Sequence, residues 1–507
     1  MNPQPEAKGQ FSRSSITWPI IFVTVVLAVF AIFLLYANLG HYDDDYDSGV
    51  YLESARMMLR GSHLYATIFD SQPPLWLPLV YYSMRLFGMS FLSGQLLSAT
   101  MGLIVIATTG LIALQLSGWT GGWVAAAIVI LSPMELEWSR AVSPEVPASA
   151  FAVAGMAFAI RYTRSGGRIG LSLASALIAA SVLVKLLGLF TLPALFLAIG
   201  FRCWMTSVGK RLSWLPLITD AILAIGTFGI VILCAFLVFG PSRVWHQAVE
   251  FHWAARSAIT SDTMPRTSTV IAQFFAHDWL LVAASMFAVL GVVSVPEGIV
   301  LAGWITFTLT GILFHHPLFS HHLVVLVPPV AIAAGLGWCR FWNRLSRWVN
   351  SGRACREGRE FATAGLAILT VISLSALAAR QAAWQINSVL HIATDSADLK
   401  SAQLIVSMTG KNSAILTDAQ GIAFAAGRDM PPQLSDTSFV RIASGYLTAA
   451  QVIAAAEQSD VQLFLLWSGR LALLPEVLRW AEWRFPYHAS LGKGREIYSM
   501  SPLTCSS

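Results

Sequence analysis

Four aspartates lie within five positions directly after the first long apolar run: Asp43, Asp44, Asp45 and Asp47. Carboxylates this close repel one another, which raises the pKa of some of them unless a cation lies near. A carboxylate that the fold positions in this way can serve as a general base. A solvated acidic cap beside a membrane segment, or a signal for orientation, would show the same run of residues.

The residues after the acidic run predict an amphipathic helix over 48–60. Arg56 and Arg60 are four positions apart, so they share a face of that helix. Two guanidinium groups near a membrane surface could bind a phosphate bidentately. Contacts with lipid headgroups, or pairing with the aspartates, are the alternatives.

Two charged residues stand out because the apolar runs contain so few charges. Glu145 begins a predicted helix after Ser143 and Pro144, where the helix dipole favours an acid and where a second loop carboxylate could also act chemically. Lys185 is the only charge between Arg168 and Arg202. A charge at membrane depth indicates function by default, and snorkelling to the interface is the alternative.

Histidines in a later loop are candidates for metal binding. His246, Glu250 and His252 form the pattern H-x-x-x-E-x-H. Their imidazole and carboxylate groups could hold a divalent metal together with Asp47 or Glu145. Interfacial polar positions, without a metal, would give the same pattern.

The elements that must position these residues are apolar helices. The chain has 507 residues, of which 56% are hydrophobic and 12% charged, whereas an ordinary soluble domain is about 25% charged. This composition excludes a free soluble enzyme, a disordered protein and a nucleic-acid binder with a basic face. The net charge of +5 is typical of a membrane protein with Lys and Arg in its cytoplasmic loops. The five cysteines predict neither a metal motif nor a disulfide framework.

Uncharged runs of about 20 residues predict about eleven membrane crossings. They lie near 18–39, as two helices within 86–134, and near 145–163, 169–184, 186–201, 213–239, 278–295, 298–315, 322–340 and 361–379. The short apolar stretch 73–88 is predicted to lie in the interface, because counting it as a crossing would place the Arg-rich loops outside. The N-terminus is then cytoplasmic and the C-terminal segment lies outside.

From residue 381 the composition becomes mixed and polar. Short buried strands are predicted at 414–417 and 461–467, helices at 448–458 and 471–483, and a last strand at 496–500. The sequence therefore predicts an all-α polytopic membrane domain over 1–380, with an outer loop at 40–90, and a small extracytoplasmic α/β domain over 381–507. The polar strings at 427–429, 436–438 and 468–470 specify no mechanism by themselves.

The first outer loop resembles that of GT-C glycosyltransferases, in the branch that contains protein O-mannosyltransferases and the lipid A aminoarabinose transferase. The resemblance rests on Asp47-x-Gly49-x-Tyr51-x-x-x-Ala55-Arg56-x-x-x-Arg60-Gly61, followed by Phe69-Asp70-x-x-Pro73-Pro74-Leu75. It implies the GT-C fold and a polyprenyl-phosphate sugar as donor. It also implies transfer to an acceptor on the outer face of the membrane.

The resemblance assigns roles to residues of the first loop. The aspartate that acts as catalytic base falls on Asp47, and Asp44 or Asp45 could share or take that role. The family's lysine before Pro-Pro, which meets the donor phosphate, is replaced here by Gln72. Tyr51 is a further motif residue and a candidate substrate contact.

Later residues take roles by the same resemblance. Glu145 matches the second acidic position of the family, where aspartate is commoner. His322 matches a histidine before the Pro-Pro run at 328–329, although an interface residue is the alternative. Arg56, Arg60 or Lys185 would then bind the phosphate in place of the missing lysine.

The predicted function is an inverting transfer of a hexosyl or pentosyl group from a polyprenyl-phosphate donor to a lipid, glycan or protein acceptor. No nucleic acid is expected as a partner, and a divalent metal is the one cofactor that the residues suggest. The predicted location is a bacterial inner membrane. The alternative is a transporter or flippase of lipid-linked saccharides, which predicts coupled charged pairs deep within helices and access from both faces. A third interpretation is a non-catalytic sugar-binding membrane protein.

Overall fold

The computed structural model describes residues 17–208, 214–259, 266–350, 358–392 and 396–502. Its α-helices are, in chain order, α1 Trp18–Tyr36, α2 Tyr46–Leu59, α3 Trp76–Phe87, α4 Phe91–Ser117, α5 Trp119–Ile130, α6 Pro133–Arg140, α7 Glu145–Ser165, α8 Arg168–Val184, α9 Leu192–Ser207, α10 Trp214–Phe239, α11 Pro241–Trp245, α12 Phe251–Ala258, α13 Thr267–His277, α14 Trp279–Val292, α15 Gly298–Phe314, α16 Val327–Asn350, α17 Gly358–Leu390, α18 Ser396–Met408, α19 Gln420–Ala426, α20 Phe439–Ala443, α21 Ala449–Gln458 and α22 Pro475–Arg484. Shorter 3₁₀ turns lie at Leu186–Thr191, Ser320–Leu326, Pro432–Leu434 and Leu471–Leu473, and a π-helical turn at His246–Glu250.

Six of the described helices are long and apolar enough to cross a membrane. They are Trp18–Tyr36, Phe91–Ser117, Glu145–Ser165, Leu186–Ser207, Trp214–Phe239 and Ser320–Arg347. Two bent pairs, α5 with α6 (63°) and α13 with α14 (91°), raise that number to at most eight. An integral, multi-pass, mostly helical membrane protein is thereby confirmed. The number of eleven crossings stays a prediction; α8, α15 and α17 occupy the remaining predicted positions.

The first outer loop is ordered by two helices. The predicted helix over 48–60 is present as α2, and it starts two residues earlier because Asp45 caps it: the Asp45 carboxylate accepts the Ser48 amide at 2.9 Å. Helix α3 covers most of the stretch predicted to lie in the interface and has only 12 residues, which is shorter than a membrane crossing.

The C-terminal region contains a four-stranded sheet in the order β1-β2-β4-β3. Its strands are β1 Ile415–Thr417, β2 Leu463–Leu466, β3 Tyr487–Gly492 and β4 Arg495–Ser499. Strands β1 and β2 pair in parallel, and the other pairs are antiparallel. The predicted strands correspond to β1, β2 and β4, whereas β3 is mostly exposed and has no apolar pattern that predicts it. Helix α17 continues to Leu390, and the division at residue 380 stays a prediction.

Helix α2 and helix α19 are in backbone contact. A Cβ atom at Gly49 would lie 2.4 Å from the Gly421 amide nitrogen, so glycine at position 49 permits this approach. On the other side, the Ser48 hydroxyl accepts the Val142 amide at 3.0 Å and donates to Asp43 at 2.6 Å. The start of α2 is therefore held between the C-terminal region and the segment that joins α6 to α7.

Candidate active site

The four clustered aspartates have different surroundings. Asp43 accepts the Ser48 hydroxyl and the Asp45 amide, Asp45 caps α2, and Asp44 is exposed. Asp47 lies half-buried in the first turn of α2, and among the described residues none hydrogen-bonds to its carboxylate. Asp47 is thus the enclosed carboxylate of this cluster that remains available to a substrate.

Burial raises the pKa of the Asp47 carboxyl to about 6, with Lys185 opposing this rise and Glu145 and Asp436 adding to it. Burial also raises the pKa of Asp45, and the negative charge of Asp47 adds to that rise. A carboxyl with a pKa near 6 is mostly ionised at neutral pH and binds a proton more strongly than an ordinary aspartate. Asp47 therefore has the properties of a general base.

Glu145 and Lys185 form a buried ion pair beside Asp47. Glu145 is the first residue of α7, and Lys185 lies in extended backbone (φ −153°, ψ 137°) between α8 and the following 3₁₀ turn. The Lys185 Nζ atom contacts Glu145 Oε1, and the two residues are 7% and 1% exposed. This degree of burial disagrees with snorkelling of Lys185 to the interface.

The Pro-Pro segment lies against the end of α8. The Leu75 amide donates to the Leu183 carbonyl at 2.9 Å, two residues before Lys185. Gln72 is buried, its amide donates to the Asp70 carboxylate at 2.9 Å, and its carbonyl accepts the Tyr65 hydroxyl. The end of α8, which Lys185 follows, thus lies against the Pro-Pro segment.

Histidines from two loops surround this ion pair. His321 Nε2 lies 3.4 Å from Glu145 Oε1, and the His321 and His322 ring centroids are 4.5 Å apart. The His315 ring lies edge-on to His322 at 4.7 Å, and burial lowers the pKa of His315 to about 4. The His252 ring donates through Nε2 to the Ser71 carbonyl oxygen at 3.0 Å.

The predicted metal set of His246, Glu250 and His252 is not brought together. His246 and Glu250 pair at 2.9 Å on the exposed surface, where His246 stacks on Tyr446. His252 is turned toward the Pro-Pro segment instead. Within the part of the chain that the structure describes, the group of three able to hold a metal is Glu145, His321 and His322, whose ligand atoms lie within 4.8 Å of one another.

The two arginines of α2 contact the C-terminal region. Arg56 is buried, pairs with Glu53 at 2.5 Å and with Asp429 at 3.4 Å, and donates to the Phe424 carbonyl at 3.3 Å. Arg60 pairs with the same Asp429. Both guanidinium groups thus contact the C-terminal region, whereas Lys185 pairs with Glu145 and its charge opposes the rise in the pKa of Asp47. Tyr51 is buried edge-on against Trp76, with ring centroids 5.6 Å apart.

The C-terminal region brings two residues to the site that the sequence did not indicate. Asp436 accepts the Tyr46 hydroxyl at 3.1 Å, and the Arg470 guanidinium lies 3.8 Å from the centroid of the Tyr46 ring. Both charges lie close enough to affect the pKa of the neighbouring Asp47. Their only signal in the sequence is the two short polar strings at 436–438 and 468–470, which follow no pattern specific to a site.

No protein-family model and no curated protein sequence matches the chain, but solved structures do. The structure of ArnT from Cupriavidus metallidurans in the apo state matches with a TM-score of 0.63 and 13% identity, over 95% of this chain and 97% of that one. ArnT bound to undecaprenyl phosphate matches with a TM-score of 0.62 and 13% identity, over 97% and 99%. The Archaeoglobus fulgidus oligosaccharyltransferase in the apo form matches with a TM-score of 0.57 and 12% identity, over 89% and 70%. The chain therefore has the GT-C fold, as the first outer loop predicted.

Proposed function

We propose that this GT-C chain is an integral-membrane glycosyltransferase that moves a sugar from a polyprenyl-phosphate donor to an acceptor on the outer face of the membrane. A fold by itself does not specify a function, so the proposal rests on the site. The observation that carries it is Asp47, a half-buried carboxylate without a hydrogen-bond partner among the described residues, beside the buried Glu145–Lys185 pair. The full-length likeness to a structure that holds undecaprenyl phosphate supports the class of donor.

Asp47 is the proposed general base. It accepts the proton of the acceptor hydroxyl or amine while the acceptor oxygen or nitrogen attacks the anomeric carbon of the donor. The bond between that carbon and the phosphate oxygen breaks, and the polyprenyl phosphate departs with the electron pair. Attack opposite the leaving phosphate inverts the configuration, through a transition state with oxocarbenium character as in other glycosyl transfers.

Lys185 is the proposed contact for the departing phosphate. Its position near the Pro-Pro segment supports this role, because Gln72 cannot supply a positive charge there. A preorganised ammonium in a water-poor site stabilises developing negative charge more strongly than it would in bulk water. Glu145 holds the ammonium in place until the substrate arrives.

The test is transfer of a labelled sugar from polyprenyl phosphate by the purified chain in detergent. Asp47→Asn should lower the rate by about 10²–10⁴-fold, because it removes general base catalysis and leaves the shape of the side chain nearly unchanged. Asp45→Asn is the matched control: asparagine caps helices as well as aspartate does, and the rate should change little.

Equal losses of transfer rate in Asp45→Asn and Asp47→Asn would contradict the assignment of Asp47 as the base. The transporter would instead be supported if lipid-linked sugar crossed vesicle membranes with its glycosidic bond unbroken, and if Asp47→Asn left the rate of that movement unchanged. The proposed location is a bacterial inner membrane, with the N-terminus in the cytoplasm and the C-terminal region outside.

A further inference from the structure

Glu145 lies between two alternative partners. Its Oε1 atom contacts the Lys185 ammonium, and the same oxygen lies 3.4 Å from His321 Nε2. His322 is buried directly beside them, with its ring edge-on to His321. The ligand atoms of Glu145, His321 and His322 lie within 4.8 Å of one another, so small side-chain movements would bring all three to one ion.

The donor set of this group is selective. Two imidazoles and one carboxylate suit Zn²⁺ and similar late first-row ions, and disfavour Mg²⁺ and Ca²⁺, which prefer all-oxygen ligands. Three protein ligands leave the fourth position of a tetrahedral ion for water or a substrate oxygen.

The surroundings of the two histidines restrict their motion. His321 stacks on Phe319 at 5.4 Å and lies edge-on to Trp138 at 4.9 Å. His322 Nδ1 accepts the Phe319 amide at 3.3 Å, a long contact that a metal can replace. Aromatic packing of this kind holds metal-binding rings in place and limits access of water.

We propose that Glu145, His321 and His322 form a binding site for Zn²⁺ or a similar divalent ion, and that the ion competes with Lys185 for the Glu145 carboxylate. In the metal-free chain the ammonium neutralises Glu145. When the ion binds, it takes that carboxylate, and the repulsion between two adjacent cations moves the ammonium away from Glu145. The binding itself does not depend on glycosyl transfer; the consequence that Lys185 is released toward a donor phosphate rests on the proposed function.

The test uses the full chain in detergent with an affinity tag that contains no histidine, stripped with a chelator and titrated with Zn²⁺ and Co²⁺. One ion per chain should bind, and X-ray absorption of the Zn²⁺-loaded protein should show two imidazole ligands. His321→Asn and His322→Gln should each weaken binding by at least about 10-fold, and Lys185→Gln should tighten it by about 10–100-fold because the competing ammonium is gone. His246→Asn, at the exposed pair with Glu250, is the control and should bind like the parent chain.

Several results would overturn the proposal. An X-ray absorption spectrum of the unaltered, Zn²⁺-loaded chain that shows no imidazole ligands would refute the site. This measurement does not depend on whether a histidine variant folds. Unchanged affinity in both histidine variants would place the ion elsewhere, and unchanged or weaker binding in Lys185→Gln would refute the competition. Because binding is measured without donor, a chain that binds the ion but transfers no sugar would refute only the proposed function.

Discussion

The four aspartates of the first loop differ in the hydrogen bonds that their carboxylates make. Asp43 and Asp45 are used to order the start of α2, whereas Asp47 faces charges from three distant parts of the chain: Lys185, Glu145 and Asp436. Asp44 is exposed, so Asp47 is the enclosed carboxylate that could accept a proton from a substrate without disrupting the helix that positions it. The chemistry that we propose for the loop is therefore assigned to Asp47.

The pH dependence of transfer should follow Asp47. Because the base must be ionised, the rate should fall as the pH drops through about 6, the value to which burial raises the pKa of Asp47. Lys185 opposes that rise, so Lys185→Gln should move the acid limb of kcat/KM to higher pH. An acid limb that stays in place in Lys185→Gln would contradict the electrostatic coupling of these two residues.

Titration of Asp47 should also affect stability. A carboxyl whose pKa is higher in the folded chain than in the unfolded chain stabilises the fold at low pH, and that contribution is lost as the pH rises through about 6. The parent chain should therefore lose stability relative to Asp47→Asn as the pH rises from 4 to 7. Thermal unfolding of both proteins at several pH values measures this difference. No pH dependence of this difference would contradict the raised pKa.

At the scale of elements, α2 has two functions along its length. Its first turn contains Asp47, and the C-terminal region contacts Gly49, Glu53, Arg56 and, at the end of the helix, Arg60. The sequence pattern of paired arginines is consistent with phosphate binding and with docking. The contacts of Arg56 with Glu53, Asp429 and main-chain carbonyls favour docking.

Substitution of the two arginines should separate these roles. Arg56→Gln leaves the buried Glu53 without its partner and should cost about 3–5 kcal/mol in the free energy of unfolding. Arg60→Gln removes an ion pair whose arginine side chain is 43% exposed and should cost at most about 1 kcal/mol. Thermal unfolding of the two variants measures which of them loses more stability. Weaker donor binding with unchanged stability in Arg56→Gln would instead support a phosphate contact by Arg56.

At the scale of the whole molecule, the scarce charges lie at the ends of helices. One end of α7 and α8 contains Glu145 and Lys185, and the other end contains the pairs Arg164–Glu297 and Arg168–Asp220. The arginine-rich end agrees with a cytoplasmic face under the positive-inside rule. The site then opens to the opposite side, where the C-terminal region packs on it.

A topology reporter tests this orientation. Alkaline phosphatase fused to the C-terminus should be active, since an odd number of crossings places that end outside when the N-terminus is cytoplasmic. The same enzyme inserted between α7 and α8 should be inactive. Activity of the second fusion together with inactivity of the first would reverse the orientation and remove Asp47 from the outer face.

The sequence by itself determined the class of protein, the positions of most helices and the first-loop residues that could do chemistry. These features depend on apolar run length and on local spacing, which are properties of neighbouring residues. The four aspartates follow from the same local pattern, whereas α2 starts two residues before the predicted helix because Asp45 caps it.

Only the tertiary structure decided which charges meet. The contact between Glu145 and Lys185 joins residues 40 positions apart, and the cation over Tyr46 comes from Arg470 in the C-terminal region. Among the described residues, the group able to hold a metal contains His321 and His322 instead of the predicted His246, Glu250 and His252. Pairings of this kind depend on how helices pack over long separations in the chain, and a small displacement of one helix end changes which side chains lie within reach of one another.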